Sequence, residues 1–172
     1  GGPTTWFQLP GDPREDYIPF MEWAGSDSVL VQRMNRLQND DQLILASAAT
    51  GGTRTIMTET DEAWLDVQDD IPWLKGDKEF VWLSERDGWR HAYAVSRATG
   101  AARLITPGNF DVMSISKVDD KGGWLYYDAS PDNATQRYLW RTRLDGKGTA
   151  ERLTPAGQAG SHRYTISPDA KY

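Results

Sequence analysis

Three copies of one short ending recur at a fixed spacing in this chain. Thr-Arg-Thr-Ile-Met-Thr finishes at Thr58, Ala-Arg-Leu-Ile-Thr at Thr106 and Glu-Arg-Leu-Thr at Thr154, each 48 residues after the one before. A turn signal precedes each ending: Thr50-Gly51, Thr99-Gly100 and Asp145-Gly146. An apolar run opens the middle of each unit, Ser28-Val29-Leu30-Val31, Glu79-Phe80-Val81-Trp82 and Gly123-Trp124-Leu125-Tyr126. The first residues join the pattern, since Gly1 to Phe7 lies on Gly51 to Met57 with a shift of 50. A sequence period of this length built from short strands is the mark of a blade that must stack on its neighbours to bury its faces. The fold expected is all-β: a partial β-propeller of about three complete four-stranded antiparallel blades plus flanking strands.

The stretch from Lys75 to Thr106 shows why each unit is read as hairpins. Phe80 to Leu83 has strand character, Ser84 to Gly88 is a polar connection, and Arg90 to Ser96 alternates small and large residues. Thr99-Gly100 then turns the chain into a strand ending at Leu104-Ile105-Thr106. Period-two alternation bounded by Asp-Gly and Thr-Gly predicts antiparallel strands joined by tight turns. Residues 1–172 are therefore expected to form one partial propeller segment. Residues 1–10 supply the outer strand of a preceding blade, 17–58, 64–106 and 110–154 are full blades, and 162–172 begin the next. Within them, strands are expected at Ile18–Trp23, Val29–Met34, Gln42–Ala48 and Thr53–Thr58, with the second blade opening at Trp64-Leu65-Asp66-Val67. An acidic excursion, Gln68-Asp69-Asp70-Ile71-Pro72, follows that opening. A chain that starts inside a strand, without an initiator Met, reads as a piece of something longer. An arc of blades leaves apolar faces open, so self-association through them is expected.

Composition narrows the function. A formal net charge of −6, with no Lys/Arg cluster, disfavours binding to a phosphate backbone, so no nucleic-acid partner is expected. The absence of cysteine excludes a disulfide framework, a thiol nucleophile and a Cys-based metal site. No run approaches membrane-spanning length. No cofactor and no metal are expected.

Several stretches together carry a family resemblance. Tyr17-Ile18-Pro19-Phe20-Met21-Glu22-Trp23, Gln32 to Asn39, Glu59 to Val67, Ser84-Glu85-Arg86-Asp87-Gly88-Trp89-Arg90-His91 and Leu104 to Val112 resemble the propeller of dipeptidyl peptidase IV. The likeness is strongest to bacterial members, covers essentially the whole chain, and is most specific in Ser84 to His91. It implies an N-terminal propeller covering a C-terminal α/β-hydrolase domain of the same parent chain. The parent would be a serine exopeptidase removing X-Pro or X-Ala dipeptides from peptide N-termini. Export, most simply to the periplasm, is what the resemblance implies for location. The loop after Trp64 corresponds to one that approaches the substrate pocket in the family. The family's aromatic–arginine pair is not reproduced there, and Gln68 and Asp69 stand in its place as substrate-binding candidates. The paired glutamates that grip the substrate amino group belong to an earlier blade, and no Glu-Glu pair occurs in this chain.

No residue here is expected to be catalytic. A Ser-His-Asp hydrolase needs a nucleophile on a sharp turn, usually Gly-x-Ser-x-Gly, and the sequence has none. His91 and His162 are read as structural. Ser114-Ile115-Ser116-Lys117 matches the Ser-x-x-Lys pattern in form, but on a strand and without its companion motifs. Asp66, Asp69 and Asp70 have neither the spacing of a calcium loop nor a context for paired-carboxylate chemistry. A sugar-processing enzyme would need inward carboxylates on several blades, and Glu22, Asp66 and Asp111 are scattered. Asn133-Ala134-Thr135 is a glycosylation sequon read as incidental, and Arg90 after Trp89 is assigned to ion pairing or aromatic stacking. Two readings stay open: a peptidase propeller that gates and shapes a substrate chamber, or a non-enzymatic TolB- or WD-like propeller serving as a protein-interaction platform.

Overall fold

The computed structural model describes residues 2–171 and contains three four-stranded antiparallel sheets. The first is β1 (Asp16–Trp23), β2 (Ser28–Asn35), β3 (Asp40–Ser47) and β4 (Thr53–Thr60). The second is β5 (Trp73–Leu74), β6 (Glu79–Ser84), β7 (His91–Ser96) and β8 (Ala102–Leu104). The third is β9 (Val112–Asp119), β10 (Trp124–Ala129), β11 (Tyr138–Arg143) and β12 (Glu151–Arg152). In each sheet spatial order follows chain order, as the up-and-down meander of a propeller blade requires. No helix occurs among the described residues, and none is long and apolar enough to cross a membrane.

Burial explains why the middle of each unit reads as an apolar run rather than as an alternation. Val29 to Gln32 of β2, Phe80 to Trp82 of β6 and Leu125 to Ala129 of β10 are all buried, so both faces of these strands are covered. The first strand of the first sheet has exposed positions at Ile18, Met21 and Trp23, and the short outer strands β8 and β12 are half-buried or exposed. Pro19 has no N–H to give a ladder, and the β1–β2 register shifts across it, between Tyr17 and Phe20.

Two compact units result. The first comprises the chain up to Ile71 together with Arg97–Gly100. Its core joins Val29, Val31, Ile44 and Ala46, against which Phe7 and Leu9 pack. The second comprises Pro72–Ser96 and the chain from Ala101. There Val81, Ala92 and Ala94 of the second sheet share one core with Leu125, Tyr127 and Ala129 of the third.

The 48-residue ending has a structural cause. After β8 the hydroxyl of Thr106 accepts the Ala92 amide at 2.9 Å, and after β12 that of Thr154 accepts the Leu139 amide at 2.9 Å. Both threonines are buried, so a side chain continues the outer ladder where the strand stops. The repeated turn glycine has a cause as well. Gly51, Gly100 and Gly146 have φ of 72°, 72° and 73°. A Cβ there would strike the carbonyl oxygen of Trp6, Ile56 and Leu104 respectively.

The flanking segments and the second blade's opening differ from expectation. Residues 2–10 hold no strand; Gln8 donates its amide to the Gly51 carbonyl at 3.0 Å, and Thr53 Oγ1 donates to the Gln8 carbonyl at 2.6 Å. Residues 163–167 likewise hold no strand, and the nearest pairing is a single parallel bridge between Arg137 and Ser161. The flanks are thus tied at points rather than along ladders. The ends of the two expected flanks, Gly1 and Tyr172, lie outside the described residues. The apolar Trp64 to Val67 is not a strand; β5 is the two-residue Trp73–Leu74, extended by the bond from the Val81 amide to the Pro72 carbonyl at 2.8 Å.

Candidate functional site

The segment from Asp61 to Pro72 is irregular because its backbone bonds go elsewhere. Asp61 donates its amide to the Asn39 carbonyl at 3.1 Å, and Leu65 donates to the Gln38 carbonyl at 2.7 Å. The Asp61 carboxylate accepts the amides of Ala63 at 2.7 Å and Trp64 at 3.0 Å, which holds its pKa below the ordinary carboxylate value. Trp64 Nε1 donates to Asp66 Oδ1 at 3.1 Å. The β2–β3 turn that receives this loop is itself fixed. Asn35 Nδ2 donates to Asn39 Oδ1 at 2.7 Å, Asn35 Oδ1 accepts the amides of Asn39 and Asp40, and Gln38 sits at φ 53°.

The loop therefore presents its side chains from a braced backbone. Trp64 is 56% exposed and Leu37 on the neighbouring turn 73% exposed, while Ile71 is buried and anchors the far end. Gln68 is half-buried, and Asp66, Asp69 and Asp70 are exposed. Gln68 and Asp69 lie on this loop, Trp64 does not form the strand that its apolar run predicts, and no local pattern foretells an exposed indole beside carboxylates. An indole face and carboxylates suit a cationic or amine-bearing ligand. They provide no nucleophile, and no group of three or more metal-ligating side chains occurs among the described residues.

The Ser84 to His91 motif is a clasp rather than a reaction centre. Ser84 Oγ accepts from the Arg86 amide at 3.2 Å and from Arg86 Nε at 2.8 Å, and the Arg86 guanidinium lies 4.9 Å from the Tyr93 ring centre. Arg90 reaches the third sheet: its amide donates to Asp111 Oδ1 at 2.8 Å and its guanidinium to the Met113 carbonyl at 3.2 Å. His91 is buried and donates from Nε2 to the Gly108 carbonyl at 3.0 Å, leaving Nδ1 to face Thr106 Oγ1 at 3.4 Å. Its ring meets Phe110 edge-on, and Phe110 stacks on Tyr127. His91 is thus held within the packing, whereas Arg90 is fixed through its own amide and a backbone carbonyl rather than through the ion pair or aromatic stack expected of it.

Other candidates are not assembled. Ser114 Oγ donates to Asp128 Oδ2 at 2.9 Å, as Ser116 does at 3.2 Å, so Ser114 is paired with a carboxylate and not with Lys117. Asp111 is used by Arg90 and Asp66 by Trp64. Asn133 closes a turn by accepting from the Thr135 amide and hydroxyl. Sequence reasoning missed one buried polar pair: Gln32 Nε2 donates to Asp41 Oδ2 at 2.6 Å inside the first sheet.

Comparison with known proteins gives this geometry its context. The model of the dipeptidyl peptidase IV (DPP IV) N-terminal region matches residues 1–172. A probable dipeptidyl peptidase 4 of Emericella nidulans is 28% identical over 142 residues, which is 75% of this chain and 18% of that protein. A probable dipeptidyl-aminopeptidase B of Coccidioides posadasii is 24% identical over 177 residues, 95% of this chain and 19% of that protein. The chain thus spans about a fifth of the length of these fungal relatives. The crystal structure of Porphyromonas gingivalis dipeptidyl peptidase 4 superposes with a TM-score of 0.78 at 25% identity, over 90% of this chain and 22% of that one. A putative dipeptidyl aminopeptidase IV from Bacteroides ovatus shares the fold with a TM-score of 0.77 at 21% identity, over 94% of this chain and 26% of that one. This chain belongs to the family of dipeptidyl peptidase IV N-terminal regions.

Proposed function

We propose that this chain is the propeller wall of a longer serine exopeptidase of the dipeptidyl peptidase IV type. A C-terminal α/β-hydrolase domain supplies the reaction, and the parent removes X-Pro or X-Ala dipeptides from peptide N-termini. The observation that carries this reading is the family match over the whole of residues 1–172. The chain itself contributes no chemistry, having no Gly-x-Ser-x-Gly turn; its work is to limit access to the chamber and to shape the substrate's surroundings. The three sheets act as successive blades, with boundaries near residues 58, 106 and 154. Within them the braced loop from Asp61 to Pro72 is the segment that meets substrate, through Gln68 and Asp69. Placement outside the cytoplasm, most simply in the periplasm, agrees with this role.

Reading the gene beyond Tyr172 and assaying its full product with an X-Pro chromogenic substrate tests the proposal. A Gly-x-Ser-x-Gly followed by Asp and then His, with release of the dipeptide, is the expected result. A reading frame that closes after one more blade would instead leave a free-standing propeller and overturn it.

A further inference from the structure

The turn between β2 and β3 is organised from the inside by one side chain, that of Asn35. The Gln38 amide closes the hairpin by donating to the Asn35 carbonyl at 3.0 Å. The Asn35 side chain then makes three further bonds. Its Oδ1 accepts the amides of Asn39 at 3.0 Å and Asp40 at 3.2 Å, and its Nδ2 donates to Asn39 Oδ1 at 2.7 Å. These bonds fix the chain just past Gln38, whose φ of 53° is a conformation that a residue with a Cβ adopts at a cost.

What the turn holds in place is the loop after β4. Asp40 and Thr60 are the last register pair of β3 and β4 at this end, and beyond it two backbone bonds join the segments. The Asn39 carbonyl accepts the Asp61 amide at 3.1 Å, and the Gln38 carbonyl accepts the Leu65 amide at 2.7 Å. Both acceptors are carbonyls of the turn, and planar peptides give them their direction from the backbone that Asn35 fixes. On the loop side the bonds continue. The Asp61 carboxylate accepts the amides of Ala63 and Trp64, and Trp64 Nε1 donates to Asp66 Oδ1. One connected run of hydrogen bonds thus leads from Asn35 to Asp66, two residues short of Gln68. A loop already held at such points meets a ligand without the cost of being ordered by it.

Resting on the reading above that this loop meets substrate, we propose that Asn35 is a positioning residue for substrate binding. It touches no substrate; it fixes the turn whose carbonyls hold the loop that carries Gln68 and Asp69. Asp at this position can act in the same way, because a carboxylate accepts both amides and Asn39 can turn its own amide to donate to it. Ala can make none of the three bonds.

The test uses the full gene product, with backbone amide exchange followed by mass spectrometry and turnover followed on an X-Pro chromogenic substrate. Asn35→Ala should speed exchange in residues 61–65 about tenfold, the scale of one hydrogen bond, and leave residues 29–34 and 42–46 unchanged. It should raise KM about 3- to 10-fold with kcat held, and Asn35→Asp should return both readouts towards the unaltered protein. Asp69→Ala added to Asn35→Ala should cost little more than either alone, since both act through one loop. Unchanged exchange in residues 61–65, a fall in kcat at constant KM, or additive losses in the double variant would each overturn the positioning role. Failure of the underlying reading looks different: Gln68→Ala and Asp69→Ala leave KM unaltered, or no dipeptide is released, while exchange still responds to Asn35. Should Asn35→Ala not fold, Asn39→Ala removes one of the three bonds and should speed exchange in the same residues by a smaller factor. No change there would also overturn the proposal.

Discussion

Thr106 does at one position what a whole strand does elsewhere. Its hydroxyl accepts the Ala92 amide and faces His91 Nδ1, and all three groups are buried. Thr106→Val keeps the shape and removes both partners, so it should lower stability by about 1–3 kcal/mol, read as a drop in the denaturant midpoint at unchanged slope. A change within error would show that the hydroxyl is dispensable. Asp41 offers a pH-dependent counterpart. Burial raises its pKa from 3.8 to about 6, against the opposing hydrogen bond from Gln32 and with help from Glu59 and Asp40. A native pKa above the unfolded one means that the folded state holds the proton more tightly. The contribution of Asp41 to stability is therefore greatest below about pH 4, falls as pH rises to about 6, and stays lowered above that. Asp41→Asn should flatten this slope and raise stability at pH 8 by an amount bounded at roughly 3 kcal/mol. Parallel stability–pH curves for the two proteins would contradict it.

At the scale of the element, the central strands were legible and the edges were not. Val29–Met34 and Phe80–Leu83 were expected as strands and lie within β2 and β6, because burial on both faces writes a continuous apolar run into the sequence. Trp64-Leu65-Asp66-Val67 carries a similar run yet forms no strand, since the Leu65 amide bonds to Gln38, whose position no local pattern reveals. The same distance hides the site. Gln68 and Asp69 could be placed on a loop from the sequence, but the Asn35–Asn39 turn that braces the loop lies about thirty residues earlier. Two predictions belong here. Gly146→Ala should cost roughly 1–3 kcal/mol in denaturant melts, because φ of 73° strains an L-residue and its Cβ would meet the Leu104 carbonyl. In the longer peptidase proposed above, Gln68→Ala or Asp69→Ala should raise KM for an X-Pro substrate about 3- to 10-fold with kcat held, the signature of binding lost equally in ground and transition states. A fall in kcat at constant KM, or no change in either, would remove these residues from the substrate site.

For the molecule as a whole, the controlling feature is an uncovered edge. Among the described residues β1 pairs with β2 on one side only, and its exposed positions are apolar: Ile18, with Met21 and Trp23 each 63% exposed. A strand that offers both free backbone groups and large apolar side chains is a template for another chain, and Pro19 blunts it at one position only. The net charge of −6 opposes contact between copies, but screening reduces that repulsion over about 10 Å at 0.1 M salt, whereas apolar burial is not screened. Self-association should therefore strengthen with salt, and sedimentation equilibrium should show an average mass rising with concentration. Met21→Lys or Trp23→Lys places a charge on the edge without touching the core and should return the chain to a monomer. A monodisperse monomer at high concentration and high salt would show that this edge does not draw a second copy. Lys variants that still associate would move the contact to another surface.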